Sequence, residues 1–268
     1  MAKPETITSA ANPLLKDVRR AIARGSLTEQ GWCVAETFHL LEEALGSDCE
    51  VKTVLVAESV RSAAEAHVGK LARVKLVVLP DALFQALSGT ESSQGVMALV
   101  KPPVWKLEQV FRGCPLVVVL DGLQDPGNAG AIVRAAEAFG ATGVLFLKGT
   151  ASPYNSKTLR ASAGSLFRIP YLHGMDAALA RAALQQNRVA LYAGVPQHSG
   201  TPARMLADVD LTARCGLIIG NEAHGVSQEL RSAALDISIP TVGVESLNAA
   251  VAAGILLYEA RRQRALKQ

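Results

Sequence analysis

With 268 residues, 49% of them hydrophobic, the chain can bury one large core or two modest ones. A formal charge of +3 admits a nucleic-acid partner without requiring one. The four cysteines, Cys33, Cys49, Cys114 and Cys215, fall in no C-x-x-C or Cys/His spacing, which argues against a zinc site or a disulfide framework and for a reduced, cytoplasmic setting. The first residues lack the apolar core of a signal peptide, and the longest apolar runs are too short or too interrupted to span a bilayer.

In chain order, residues 14–23 read as an amphipathic helix and 37–45 as a second. Residues 51–56 and 75–79 read as Val-rich strands, with a helical stretch at 60–71 between them and a further strand at 94–100. Lys101-Pro102-Pro103 disfavours both helix and central strand, which places a domain boundary within residues 101–112. The expectation is a smaller α/β module over residues 1–105 and a parallel-sheet α/β domain over 106–268.

Beyond the boundary, 116–121 is a continuous apolar strand of the buried parallel kind, followed by a helix at 129–139 that stops at Gly140 and a strand at 143–147. Further strands are expected at 189–193, 216–219 and 237–239, and helices at 177–186 and 227–234. A last helix, 249–262, is entered through Ser246 and Asn248, residue types that cap helix N-termini. Basic residues cluster twice, as Lys16, Arg19, Arg20 and Arg24 and as Arg261, Arg262, Arg264 and Lys267.

The strand followed by Gly122, Gly127 and Gly130 invites a dinucleotide reading, but the glycines miss the G-x-G-x-x-G spacing. The next strand ends at Leu147-Lys148, without the acidic residue that would hold a ribose. No G-x-x-x-x-G-K-[ST] or G-x-S-x-G is present either.

Three segments in order carry a more specific likeness: Asp125-Pro-Gly-Asn128-Ala-Gly-Ala-Ile-Val-Arg134, then Gly220-Asn221-Glu222-Ala-His224-Gly225, then Ile239-Pro240 through Ser246-Leu247-Asn248. Together they resemble the SpoU (TrmH-like) branch of the SPOUT RNA methyltransferases. Gly31-Trp-Cys-Val-Ala-Glu36 and Thr90-Glu-Ser-Ser-Gln-Gly-Val-Met97 are similar to that family's L30e-like substrate-binding module. The resemblance implies a deep trefoil knot, a topology that chain-pattern rules alone would not propose. It also implies S-adenosylmethionine as methyl donor, RNA as substrate, no metal and a homodimer.

By the same resemblance, Gly220, Ile239 and Leu247 hold the cofactor's adenosine part, chiefly through main chain. Arg134 is the family arginine, either a proton acceptor or a group that binds the RNA phosphate and positions the ribose 2′-hydroxyl. Asn128 orients Arg134 and the substrate, with helix capping as its local alternative. Glu222 positions polar groups beside the methyl donor, and Ser246 and Asn248 tie the third segment to the first. An L30e-like module favours ribosomal RNA, with tRNA as the alternative. A knotted enzyme acting on a base nitrogen and a catalytically silent RNA-binding, assembly or resistance factor are the rival readings.

Overall fold

Val, Leu and Ala dominate residues 54–57, 76–79 and 96–100 with no polar alternation, the pattern of strands covered on both faces. In a computed structural model, which describes residues 4–68, 74–88, 93–196 and 202–267, these runs are β3 (Glu50–Ala57), β4 (Lys75–Leu79) and β5 (Val96–Lys101). With β1 (Glu5–Thr6) and β2 (Cys33–Glu36) they form a five-stranded mixed sheet in the order β1-β4-β3-β5-β2. Helices α1 (Pro13–Arg24), α2 (Phe38–Leu45), α3 (Arg61–Val68) and α4 (Asp81–Ser88) accompany it. Leu15, Val18, Phe84 and Leu87, from α1 and α4, pack into the same core as Leu55, Val77 and Leu99. Residues 69–71 of the expected helix at 60–71, and Thr90 to Ser92 of the second L30e-like phrase, lie outside the described residues.

The second unit contains α5 (Leu107–Val110), β6 (Leu116–Asp121), α6 (Pro126–Ala138) and β7 (Gly143–Leu147). After α7 (Ser156–Ser162) come β8 (Tyr171–Met175), α8 (Ala177–Gln186), β9 (Ala190–Gly194), β10 (Arg204–Met205), β11 (Cys215–Gly220), α9 (Gln228–Arg231), β12 (Ala234–Ser238) and α10 (Ala249–Ala265). Seven parallel strands run in the order β10-β12-β9-β11-β6-β7-β8. The last helix packs on α6 and β11 although the strand before it, β12, lies beyond β9. The connection 239–248 therefore travels across the sheet to reach α6. No helix of the described residues is long and apolar enough to cross a membrane.

The chain divides into Met1–Val104 with Tyr154–Arg168, and Trp105–Pro153 with Ile169–Gln268. The returning segment carries α7, and Arg160 and Arg168 pair there with Glu36 and Glu43. Glu36 is only 5% exposed, and burial pushes its carboxyl above the usual range despite the Arg160 guanidinium.

Three expectations differ from the structure in instructive ways. The stretch 227–234 is not one helix: α9 ends at Arg231, and the alternating Ala-Leu-Asp-Ile-Ser that follows is β12. β2 has all four residues buried, so no alternation announced it. α6 starts three residues earlier than expected because Asp125, not Asn128, is its N-cap, with Pro126 at the first position.

Candidate active site

Gly220 and Asp121 are paired residues at the carboxyl ends of the adjacent strands β11 and β6. Their following loops consequently leave the sheet side by side. The 220–225 loop doubles back tightly: Asn221 and Gly225 exchange backbone N–H···O bonds of 2.9 Å, and Asn221 Oδ1 accepts from the N–H groups of Ala223 and His224. A Cβ on Gly220 would lie 2.3 Å from the Gly225 carbonyl carbon, so only glycine fits there. Two bonds bolt this loop to the neighbouring strand end. Asn221 Nδ2 donates to Gly122 O at 2.8 Å, and the Ser227 N–H donates to the buried Asp121 carboxylate at 2.7 Å.

Glu222 then faces the start of α6. Its carboxylate accepts from the backbone N–H groups of Gln124 (3.3 Å) and Asp125 (3.4 Å) and from Asn128 Nδ2 (3.3 Å). Partial burial pushes the carboxyl upward, but its own N–H, those of Gln124 and Asp125, and the Asn128 amide outweigh it and hold Glu222 below the usual carboxylate range. An ionised carboxylate only accepts, so the Asn128 amide must turn its NH₂ toward it. That leaves Asn128 Oδ1 to accept from Asn248 Nδ2 at 3.0 Å. Asn248 Oδ1 in turn caps α10 by accepting from Ala250 and Val251 N–H, at 2.9 and 3.3 Å. One charge thus fixes the orientation of two amides and joins all three segments.

The relay ends where two helices begin. α6 and α10 run side by side from this end, as the 5.9 Å ring contact between Phe139, at the end of α6, and Tyr258, midway along α10, attests. Both positive helix-dipole ends therefore meet at the relay and favour an anion there. Arg134 is on the exposed face of α6, about 9 Å along the axis from Asn128, and helical side chains lean back toward the N-terminus. No hydrogen bond or ion pair holds its guanidinium among the described residues, and Asn128 makes no bond to it. Ser246 and His224 are exposed and lie outside the relay.

The two basic clusters diverge. Lys16, Arg19, Arg20 and Arg24 are all exposed along one face of α1, where Arg20 pairs with Glu29. In the terminal cluster, Arg262 pairs with Glu259 and Lys267 with Asp210. The Arg264 guanidinium donates to the carbonyls of Leu211, Cys114, Pro115 and Ala213.

S-adenosylmethionine fits the residues present. Gly220, Ile239 and Leu247 are each half-buried, so the two apolar side chains keep accessible surface instead of vanishing into the core. Ser227 Oγ beside this loop is buried and makes no hydrogen bond among the described residues. Sequence reasoning missed Asp121, Ser227 and the bolting role of Asn221. Only Asn221, an Asx-turn residue four before a glycine, left a local signal.

The family model described as the SpoU rRNA Methylase family matches residues 115–258, and the MRM3-like substrate binding domain matches residues 12–98. The Bacillus subtilis (strain 168) 23S rRNA (guanosine(2553)-2'-O)-methyltransferase RlmP is 34% identical over 95% of this chain and 98% of its own length. A Streptomyces viridochromogenes 23S rRNA (uridine(2479)-2'-O)-methyltransferase is 34% identical over 71% of this chain and 68% of its own. Among solved structures, the SpoU methyltransferase AviRb from Streptomyces viridochromogenes in complex with AdoMet superposes with a TM-score of 0.80 at 27% identity, covering 95% of this chain and 100% of that one. Motifs, fold and these likenesses agree that the chain belongs to the SpoU rRNA methylase family, with an MRM3-like substrate-binding domain at its N-terminal side.

Proposed function

We infer that this protein transfers a methyl group from S-adenosylmethionine to a ribose 2′-hydroxyl of RNA, with ribosomal RNA as the substrate, in the cytoplasm. The observation that carries the reading is the Glu222–Asn128–Asn248 relay at two converging helix N-termini, beside an arginine with no hydrogen-bond or ion-pair partner among the described residues. Each element suits a reaction on a sugar of a polyanion. Bound S-adenosylmethionine supplies a methyl group on a positively charged sulfur, and Gly220, Ile239 and Leu247 would hold it.

A 2′-hydroxyl is a weak nucleophile at neutral pH and must lose its proton as it attacks. Guanidinium groups stay protonated in proteins, so Arg134 acts by gripping the adjacent phosphate and stabilising the developing oxyanion, while the hydroxyl proton passes to solvent water. The relay keeps the starts of α6 and α10 together, so that the oxygen and the methyl group align. Ser246, exposed beside Asn248, is available to the substrate sugar.

A second copy of the chain covers the outer face of α10. Ala253, Leu256, Leu257 and Ala260 face the core, while Val251, Ile255 and Tyr258, spaced i, i+4, i+7, are 51%, 36% and 55% exposed. Sedimentation should show a dimer for the native chain and a monomer for Ile255→Asp/Tyr258→Asp; a native monomer would end this part of the reading.

The test of the activity is transfer of labelled methyl groups from S-adenosylmethionine into ribosomal RNA and ribosomal subunits, followed by digestion to nucleosides. Label in 2′-O-methylnucleosides supports the reading. Label in a methylated base would retain the fold and sink the mechanism, and no label in any RNA would make the protein a binding factor.

A further inference from the structure

The N-terminal unit holds a cavity of about 580 Å³ at the carboxyl ends of the parallel strands β3 and β4, bounded by the residues that lead into β5. Its size falls within the range of small-molecule sites, and strand carboxyl ends are where open α/β sheets bind ligands. Val60 supplies accessible apolar wall, backed by the buried Ala57 and Phe84, and Ser59, Asp81 and Gln94 supply polar groups. Gly95, at φ +75°, packs so closely that a Cβ there would come within 2.7 Å of Val60, which fixes that side of the wall.

The charge of this cavity is unusual for an RNA-binding module. Among the described residues no lysine or arginine lines it, and Asp81 is its single ionisable group. Phosphate is therefore disfavoured, and N–H donors are favoured. Asp81 Oδ1 accepts the Ser59 hydroxyl at 2.6 Å and the Ser59 N–H at 3.2 Å. Those bonds hold the Asp81 carboxyl below its ordinary range, first through the hydroxyl and then through the N–H. Oδ2, with no bond among the described residues, and the lone pairs of Ser59 Oγ remain as neighbouring acceptors. The α1 helix that packs against α4 carries the exposed stripe Lys16, Arg19 and Arg24. That stripe suits the RNA backbone, whose contacts position, while a polar cavity suits a base, whose contacts specify.

We propose that this cavity receives an unstacked guanine of the substrate RNA, whose N2–H donates to Asp81 Oδ2 and whose N1–H donates to Ser59 Oγ while its ring lies on the apolar wall. Guanine presents two adjacent N–H donors on one edge, whereas adenine, cytosine and uracil each mix donor and acceptor at that spacing. Single-stranded bases are read in this way, by stacking and by hydrogen bonds to the Watson–Crick edge. The proposal rests on the RNA-methylation reading, which supplies the RNA; the cavity's own base preference is measurable without methyl transfer.

The test titrates the full chain with GMP, AMP, CMP, UMP and xanthosine monophosphate while following the Ser59 and Gly95 amide resonances. GMP should bind at least tenfold more tightly than the other three ordinary nucleotides. Asp81→Asn replaces an acceptor by a donor, so GMP affinity should fall about tenfold. Xanthosine monophosphate, which carries a carbonyl where guanine has its amino group, should gain. That reversal cannot come from misfolding, and S-adenosylmethionine binding checks the rest of the fold. Equal binding of all nucleotides, no shift with millimolar GMP, or an unchanged preference in Asp81→Asn would each overturn the proposal. Failure of methyl transfer with intact GMP selectivity would instead strike the activity reading alone.

Discussion

The two ends of the seven-stranded sheet use arginine in opposite ways. At the amino ends of β6 and β11, Arg264 spends its donors on four backbone carbonyls. On the side that holds the relay, Arg134 spends none on the described residues. Guanidinium has five donors, so a saturated one belongs to the fold and an unsaturated, exposed one is free for a substrate. The same residue type in two basic-looking surroundings thus separates into stability and chemistry by partner count alone.

The sharpest way to break this contrast is to truncate each arginine. Arg134→Ala should lower the rate of methyl transfer by about 10²–10³, the loss typical of a transition-state charge partner. Its stability should change by no more than about 0.5 kcal/mol, since the exposed side chain makes no hydrogen bond or ion pair among the described residues. Arg264→Ala should do the reverse. Stranding carbonyls at 1–3 kcal/mol each, partly relieved by water, it should cost roughly 2–4 kcal/mol, seen as a lowered melting temperature, with the folded fraction transferring methyl groups normally.

The relay offers an intermediate effect. Asn128→Asp places a second carboxylate against Glu222 and removes the donor that turns the amide. Methyl transfer should fall about tenfold, and Glu222→Gln in the same chain should recover part of it, giving a coupling of at least 0.5 kcal/mol in a double-mutant cycle. No coupling would mean that the two side chains act independently.

Smaller effects sharpen the comparison with the N-terminal unit. Replacing Lys16, Arg19 and Arg24 by Ala should reduce the slope of log binding constant against log salt by about 2 for single-stranded RNA, at about 0.7 per phosphate contact. The same change at Arg262 and Lys267, already paired within the protein, should alter the slope little. The smallest effect is pH-dependent. The Glu222 carboxyl is depressed on folding, so its contribution is present above the unfolded carboxylate value, near 4.3, and is lost as pH falls through the lower folded value. Because the group is exposed, the gain is under about 1 kcal/mol, and Glu222→Gln should flatten the stability profile only below about pH 5.

How far the sequence alone reached follows from range. Strands 116–121 and 143–147 and the helix at 177–186 were legible because apolar runs, Gly140 and periodicity are local. The three motifs named the polar residues. The relay itself was not legible: Glu222 and Asn248 reach Asn128 from 94 and 120 positions away, and no period encodes that. The start of α6 was misplaced because Asp125 and Asn128 are both good caps, and only the following proline favours the former. The return of 154–168 to the N-terminal unit was invisible, since Ser-Lys-Thr-Leu-Arg-Ala-Ser carries no apolar stripe, and the ion pairs of the segment, Arg160 with Glu36 and Arg168 with Glu43, span more than a hundred positions.

The most direct test measures single-turnover methyl transfer to ribosomal RNA by Arg134→Ala and Arg264→Ala side by side, each with its melting curve. The account predicts a slow but stable Arg134→Ala and a fast but less stable Arg264→Ala. An Arg134→Ala that transfers methyl groups at the native rate would contradict it, whatever the behaviour of Arg264→Ala.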